Sequence, residues 1–367
     1  MSFELITSED RLDDVLAAHE GEHFVAVDTE FRRRDTFYPQ VALVQICWRS
    51  DAYLIDPTRV NNFSSLRDLL LDERTVKLLH SPSEDLEVFD HWLGVLPNPI
   101  FDTQRAMAFL GYGFGIGYRA MVAEFTGIEI SKDETTSDWL KRPLTTNQLE
   151  YAALDVTHLR TIGQQLHSEA EDAGRLSWVY EDTAHQKPGG KGVASKFKSA
   201  WKLGTREQAI LAALIIWREG ESRRLDRPRS WILPDKIIVS MAKRAPDHIS
   251  QLKNIDGFHE SIIRKRGQRL IEVIAEASGS ELSNVIWAPP VRGVERDWLE
   301  DMTKRVDEIA GDLNLAPQIL LSSRDLEAII QSAKKQTPLP AELSGWRLSI
   351  VVSELLSSLE KRFADVN

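Results

Sequence analysis

Cysteine is nearly absent from this chain of 367 residues, in which Cys47 is the single example. One thiol cannot form an intramolecular disulfide, and a zinc site built from several cysteines is excluded as well. Both absences are typical of proteins from a reducing compartment. The apolar run from Val41 to Trp48 around the thiol predicts that it is buried in a core. We therefore expect a cytoplasmic protein without disulfides.

Long apolar runs are also missing. No run approaches the roughly 20 residues that a membrane-crossing helix needs. The first ten residues carry Glu4, Glu9 and Asp10 where a secretion signal would be apolar. A composition of 42% hydrophobic and 28% charged residues is that of an ordinary globular protein. We expect a protein that neither crosses a membrane nor is secreted, with two or three domains at this length.

The chain has no overall positive charge, since its formal net charge is −11. The charge is uneven, however: residues 1–184 carry −16, residues 185–275 carry +10 and residues 276–367 carry −5. A basic stretch inside an acidic chain is the electrostatic pattern of a protein that binds a polyanion. The middle block is therefore the candidate for such binding.

Hydrophobic periodicity divides the chain into three structured parts. Strand and helix patterns alternate over residues 1–184, which predicts an α/β domain with a mixed sheet flanked by helices. Residues 185–203 contain a proline and several glycines and are predicted to be a linker. The remainder shows helical periodicity only, interrupted by prolines at Ala288–Gly293. We predict two small all-α modules, 204–285 and 294–367.

Acidic residues occupy special positions in the first domain. Asp28 and Glu30 end an apolar strand and share one face, because side chains two apart in a strand point the same way. Such a pair repels unless a hard divalent cation lies between its carboxylates. Asp85 begins a helix, and Tyr151 and Asp155 lie one turn apart on another. Each feature alone has an ordinary surface explanation, so the combination carries the signal.

Three stretches of the sequence resemble the exonuclease motifs of the DEDD family. They are Phe24–Phe31, Leu79–Phe89 and Tyr151–Val156. Because a tyrosine lies four residues before the last aspartate, the chain resembles the DEDDy branch of this family. Further stretches are similar to the ribonuclease D family: Phe101–Gln104, Gly117-Tyr118, Lys132–Trp139 and Arg142–Leu144. The first helical module resembles an HRDC domain, a helical nucleic-acid-binding module, and the second resembles a fainter copy.

The resemblance implies a ribonuclease H-like fold and a metal-dependent 3′–5′ exoribonuclease. Such an enzyme hydrolyses RNA from the 3′ end, releases nucleoside 5′-monophosphates and matures tRNA precursors and other structured RNAs. It would use two divalent metal ions, Mg²⁺ or Mn²⁺. Asp28, Glu30 and Asp155 would hold the water-activating ion, with Asp28 and Asp85 at the second. Tyr151 would contact the attacking water.

RNA contacts are predicted in two places. Thr29 and Phe31 flank the acids and are candidates for contacting the terminal nucleotide, although Phe31 fits a core position equally well. In the basic block, positive side chains cluster at a helix end and after a glycine turn, where they could bind phosphates. The candidates are Arg223, Arg224, Arg264, Lys265, Arg266 and Arg269. A merely solubilising surface is the alternative interpretation.

Two other functions remain open from the sequence. A DNA-directed 3′–5′ exonuclease acting in repair or proofreading would need the same acids. A catalytically inactive RNA-binding scaffold could keep the fold, although the intact acids argue against it. We expect a monomer, and we expect that truncation after about Asp182 would leave a folded nuclease.

Overall fold

The computed structural model divides the chain into two compact units, and each is assembled from separate stretches. The structure describes residues 3–130, 137–190, 192–279 and 287–366. We call the first the sheet unit, which comprises Met1–Arg32, Val41–Gly190 and Val291–Asn367. We call the second the helical unit, which comprises Arg33–Gln40 and Lys191–Pro290.

A six-stranded mixed sheet forms the centre of the sheet unit. Its strands are β1 (Phe3–Ile6), β2 (Phe24–Arg32), β3 (Gln40–Trp48), β4 (Asp51–Ile55), β5 (Val76–Leu79) and β6 (Ile100–Asp102). They lie in the order β1-β4-β3-β2-β5-β6. The pairs β1–β4, β2–β5 and β5–β6 are parallel, and the hairpin β3–β4 is antiparallel. Strand β2, which carries the predicted acids, is therefore a central strand.

Helices cover both faces of this sheet, which explains why its strands are apolar on both sides. Val25 and Val27 pack into a core with α1 (Glu9–Ala18), α2 (Ser64–Leu71) and α3 (Ser83–Leu93). Ala26, between them, packs into the core on the other face. The helices there are α4 (Thr103–Phe109), α5 (Tyr118–Thr126), α6 (Thr146–Asp172) and α7 (Leu176–Ala184). The predicted α/β fold with a mixed sheet flanked by helices is confirmed.

The C-terminal helices share the core of the sheet unit. They are α13 (Val294–Asp312), α14 (Pro317–Leu320), α15 (Ser323–Lys335) and α16 (Ser353–Val366). Trp346 stacks on Trp178 of α7 with ring centroids 5.2 Å apart, and the Arg347 guanidinium pairs with the buried Asp182. Truncation after Asp182 would remove Trp346 and Arg347 and expose the side chains that they cover. The shared core therefore argues against normal folding of a chain truncated at this point.

The helical unit has its own core. Its helices are α8 (Thr205–Leu225), α9 (Arg229–Ile232), α10 (Asp235–Arg244), α11 (Ile249–Leu252) and α12 (Glu260–Gly279). Buried side chains such as Leu214, Ile238 and Leu270 fill its centre. The segment Arg33–Gln40 also belongs to this unit, because Asp226 accepts hydrogen bonds from the backbone N–H groups of Phe37 and Tyr38.

The strand predicted to end at Asp28 and Glu30 is β2, the helix predicted to begin at Asp85 is α3, and the helix predicted to carry Tyr151 and Asp155 is α6. The predicted domain boundaries stay predictions. The two compact units are a different division of the chain, in which Val291–Asn367 belongs to the sheet unit. Part of the stretch Lys132–Trp139 and the end of the predicted module 204–285 lie outside the described residues. Among the described helices, none is long and apolar enough to cross a membrane.

Candidate active site

Strand β2 brings Asp28 and Glu30 to the face of the sheet that α6 covers. Side chains alternate along a strand, so both carboxylates share the face of Ala26, which packs in the core beneath α6. The helix begins with a capping box in which Thr145 and Gln148 satisfy each other's backbone N–H groups. This cap fixes the start of α6, and Asp155 follows two turns later.

Three carboxylates meet between β2 and α6. One oxygen each of Asp28, Glu30 and Asp155 can be chosen so that all lie within 4.8 Å of one another. Asp155 is only 7% exposed, and its Oδ1 atom has no hydrogen-bond partner among the described residues. Three carboxylates converging with an unpartnered buried oxygen form a donor set that suits a hard divalent cation. The fit of these residues to a metal ion is therefore good.

Asp85 lies beside this group, in the first turn of α3. Its Oδ1 atom accepts a hydrogen bond of 2.5 Å from the hydroxyl group of Thr29. Thr29 is buried, and this bond turns its hydroxyl toward a carboxylate of the site. Thr29 therefore orients Asp85, a role that its position next to Asp28 in the sequence did not reveal.

Burial and mutual repulsion favour the protonated form of these carboxyls. Burial and the charge of Asp155 raise the pKa of Asp28 to about 7, and burial raises the pKa of Asp155 to about 7. Burial and the charge of Asp28 raise the pKa of Glu30 to about 9 and of Asp85 to about 8. The neutral form is therefore favoured below about pH 7 for Asp28 and Asp155, and up to about pH 8 to 9 for Asp85 and Glu30. A divalent cation at the site would reverse this preference, because its charge favours the carboxylates.

Two tyrosines border the acids. Tyr151 hydrogen-bonds to the carboxylate of Asp155, and this bond opposes the rise in the pKa of Asp155. The Tyr118 hydroxyl donates to the main-chain oxygen of Asp155, so α5 is fixed against α6 at this point. The positive charge of Arg119 also lowers the pKa of Asp155. The sequence indicated this region of the site through the pair Gly117-Tyr118, which lies at the start of α5.

Several of the predicted RNA-binding arginines have other contacts, and Phe31 is partly covered. Phe31 is half-buried near the end of β2. In the helical unit, Arg223 pairs with Glu219, and Arg224 pairs with Glu221. Arg266 lies 3.8 Å from Glu221, and Arg269 pairs with Glu272 and Glu276. These ion pairs reduce the positive charge that the four arginines offer to RNA.

Two of the predicted RNA-binding residues keep their charge available. Arg264 and Lys265 are exposed on α12, and neither forms an ion pair within the described part of the chain. They follow a turn in which Gly257 adopts a positive φ of 76°. The predicted RNA-binding residues stay predictions, with these two as the best placed.

Comparison with known proteins agrees with this arrangement. The model of the 3′–5′ exonuclease family matches residues 3–171, and the model of the HRDC domain matches residues 207–274. A ribonuclease D of Pseudomonas paraeruginosa is 37% identical over 349 residues, which cover 92% of each chain. The chain belongs to the ribonuclease D family. The resemblance stated from its motifs is confirmed.

Other members of the ribonuclease D family match over the same length. The Xanthomonas oryzae ribonuclease D is 35% identical over 92% of this chain and 93% of its own. The crystal structure of Escherichia coli ribonuclease D, described as an exoribonuclease involved in structured RNA processing, has a TM-score of 0.86 at 30% identity. It covers 98% of this chain and 99% of its own. As a member of the ribonuclease D family, the chain is a 3′–5′ exoribonuclease with an HRDC domain.

Proposed function

We propose that this ribonuclease D removes nucleotides from the 3′ ends of tRNA precursors and other structured RNAs. Each step would hydrolyse the last phosphodiester and release a nucleoside 5′-monophosphate. The observation that carries the proposal is the convergence of Asp28, Glu30 and Asp155, with Asp85 beside them. The structured-RNA substrate is supported by the description of the Escherichia coli relative.

Four carboxyl groups can bind a phosphodiester only if their negative charge is offset. We propose that two divalent ions, Mg²⁺ or Mn²⁺, provide this charge. Asp28, Glu30 and Asp155 would hold one ion, and Asp28 with Asp85 the other. Metal ions in such a site activate the attacking water and stabilise the departing oxygen. The Thr29 hydroxyl keeps Asp85 oriented for its part in this set.

Tyr151 is the proposed orienting group for the water. Its hydrogen bond to Asp155 directs the phenol oxygen toward the acids. From there it can hold the water oxygen in line with the bond to be broken. The water oxygen adds to phosphorus, the bond to the preceding 3′ oxygen breaks, and that oxygen takes a proton. Phe31 remains a candidate for stacking against the terminal base.

Attraction for the remainder of the RNA is expected from the helical unit. Residues 185–275 carry +10, and the HRDC domain match lies wholly within them. Arg264 and Lys265 would contact phosphates directly, and Arg223, Arg224, Arg266 and Arg269 would contribute less because they are ion-paired. The monomeric state and the cytoplasmic location stay predictions.

Digestion of end-labelled oligonucleotides tests the proposal. The protein is incubated with RNA labelled at the 5′ end or at the 3′ end, with Mg²⁺ or with EDTA. We expect 3′-labelled RNA to release labelled mononucleotide at once, 5′-labelled RNA to shorten stepwise, and EDTA to stop both reactions. Faster digestion of a DNA of matched sequence would favour the DNA-directed alternative. Binding of RNA without any digestion in Mg²⁺ or Mn²⁺ would favour the inactive scaffold.

A further inference from the structure

The helical unit exposes a large aromatic ring on its surface. Trp231 in the short helix α9 is 57% exposed, although its neighbours Ile232 and Leu233 are buried in the core. An indole left in water loses the free energy that burial would provide. A single exposed apolar side chain is common in proteins. Trp231 differs from such a side chain because a positive charge lies next to its ring.

Arg227 provides that charge. Its guanidinium carbon lies 5.8 Å from the centroid of the Trp231 ring, and its Nη1 atom donates to the main-chain oxygen of Asp35 at 3.1 Å. Arg227 is exposed and has no carboxylate partner within the described part of the chain. The segment Arg33–Gln40, which contains Asp35, belongs to the same unit. The backbone therefore holds the guanidinium beside the ring without cancelling its charge.

The surrounding arginines differ from Arg227 in this respect. Each of the others between residues 218 and 229 pairs with a carboxylate: Arg218 with Asp235, Arg223 with Glu219, Arg224 with Glu221 and Arg229 with Glu219. An exposed anion that approaches this part of the unit therefore finds its strongest partner at Arg227. The flat indole lies directly beside it.

We propose that Trp231 and Arg227 bind one unpaired nucleotide of single-stranded RNA. The base would stack on the indole, and the guanidinium would contact the adjoining phosphate. Proteins that bind single strands combine such stacking surfaces with positive charge. The net +10 of residues 185–275 complements a polyanion. One ring offers far less than the roughly 1,000 Å² of a stable protein interface, so a nucleotide fits better than a protein partner. The inference deepens the proposed function and rests on it for the substrate class.

Binding measurements test the two residues separately. The background is Asp28→Asn, so that RNA stays intact in Mg²⁺, and the ligand is a 20-nucleotide single-stranded RNA titrated at several salt concentrations. Adding Trp231→Ala should weaken binding roughly 5- to 150-fold without changing the salt dependence. Adding Trp231→Phe should restore most of the affinity. Adding Arg227→Gln should lower the log–log salt slope by about 0.7, the value of one phosphate contact on a single strand.

A ligand without bases separates stacking from other causes. With an abasic RNA of the same length, Trp231→Ala and its parent should bind equally. Leu96→Ala, which shortens a 43% exposed leucine of the sheet unit, is the control for loss of surface apolar area and should bind as its parent. Circular dichroism and thermal melts establish that each variant is folded.

The inference is overturned if folded Trp231→Ala binds the normal RNA as tightly as its parent. It is equally overturned if the loss is the same on abasic RNA, since the ring would then not stack on a base. Hydrolysis of the same RNA by the wild-type protein in Mg²⁺ tests the proposed function independently. Hydrolysis with no effect of Trp231→Ala rejects the stacking site alone, and absence of hydrolysis rejects the proposed function.

Discussion

The carboxyl groups of the site are buried close together, so the folded structure disfavours their negatively charged forms. Burial raises the pKa of Asp28 to about 7 and, together with neighbouring charges, the pKa of Glu30 to about 9. A pKa rise of one unit corresponds to about 1.4 kcal/mol between the two protonation states. Binding of cations would recover this energy, so the residues proposed to bind metal ions are also residues that destabilise the metal-free protein.

Asp28→Asn separates these two effects. Removal of one charge should lower hydrolysis of RNA by more than about 100-fold, because the central carboxylate of the donor set is lost. In EDTA, the melting temperature should hold or rise, because repulsion with Asp155 disappears. Labelled-RNA digestion and thermal melts measure both effects. Asp90→Asn, an exposed acid on α3, is the control. Full activity of Asp28→Asn at saturating Mg²⁺ would remove Asp28 from the ligand set.

Tyr151→Phe removes only a hydroxyl group. We expect kcat to fall roughly 10- to 100-fold while the Mg²⁺ concentration for half-maximal activity stays the same. The pKa of Asp155 should rise, because its hydrogen bond from Tyr151 is lost. The acid limb of the pH–rate profile should then move to higher pH. An unchanged rate with an unchanged profile would show that the hydroxyl has no part in the chemistry.

At the scale of elements, helix α7 connects the sheet to the C-terminal helices. The guanidinium of Arg347 donates to the carboxylate of Asp182 and to the main-chain oxygens of Ile319 and Leu320. Asp182 is 7% exposed and keeps one other partner, Arg105. The pair is therefore buried, and its loss leaves polar groups without partners.

We expect Arg347→Ala to lower the free energy of unfolding by about 2–4 kcal/mol. Denaturant titration measures the change. The control is Arg305→Ala, which breaks an ion pair with Glu354 on the exposed surface and should change stability little. Equal losses of unfolding free energy in the two variants would mean that burial does not strengthen the ion pair of Arg347.

The elements also show where sequence patterns inform and where they do not. Strand β2 and its acids were predictable, because local alternation and spacing determine which side chains share a face. Strand β1 carries little sequence signal, because four residues show little periodicity and the strand forms by pairing with the distant β4. The i, i+4 spacing of Glu219 and Arg223 in the sequence indicates their ion pair. Such a pair reduces the charge that Arg223 offers to a phosphate, so the spacing argues against Arg223 as a strong RNA contact.

The sequence patterns did not predict which distant segments pack together. The segment Arg33–Gln40 follows β2 directly, yet Phe37 is buried in the helical unit between the guanidiniums of Arg223 and Arg229. The interaction of Thr29 with Asp85 joins residues 56 positions apart. Such contacts depend on how elements pack, and one sequence contains no periodic signal for them.

At the scale of the whole molecule, metal ions should couple stability to pH. Between about pH 4 and the raised pKa values of about 7 to 9, the folded protein holds protons that the unfolded chain releases. The contribution of these carboxyls to stability therefore falls as pH rises through this window. Metal binding removes this loss, because it stabilises the charged forms.

The rise in melting temperature on adding Mg²⁺ should therefore be larger at pH 8 than at pH 6. Differential scanning calorimetry at both pH values, with Mg²⁺ or EDTA, measures it. Burial lowers the pKa of His80, but this histidine affects both samples and its contribution cancels in the difference. The Asp28→Asn variant should show a smaller difference. A shift independent of pH would contradict proton release by the site.

The stacking of Trp346 on Trp178 has a consequence for the order in which the protein is made. Asp182 leaves the ribosome 165 residues before Arg347, its partner. At 5–20 residues per second, α7 waits about 8 to 33 s for the segment that covers it. Residues around Trp346 complete the hydrophobic core around the nuclease sheet. A nascent chain that has not yet reached Trp346 is therefore an unfinished nuclease, and a chain released before that point from a broken message leaves the core open.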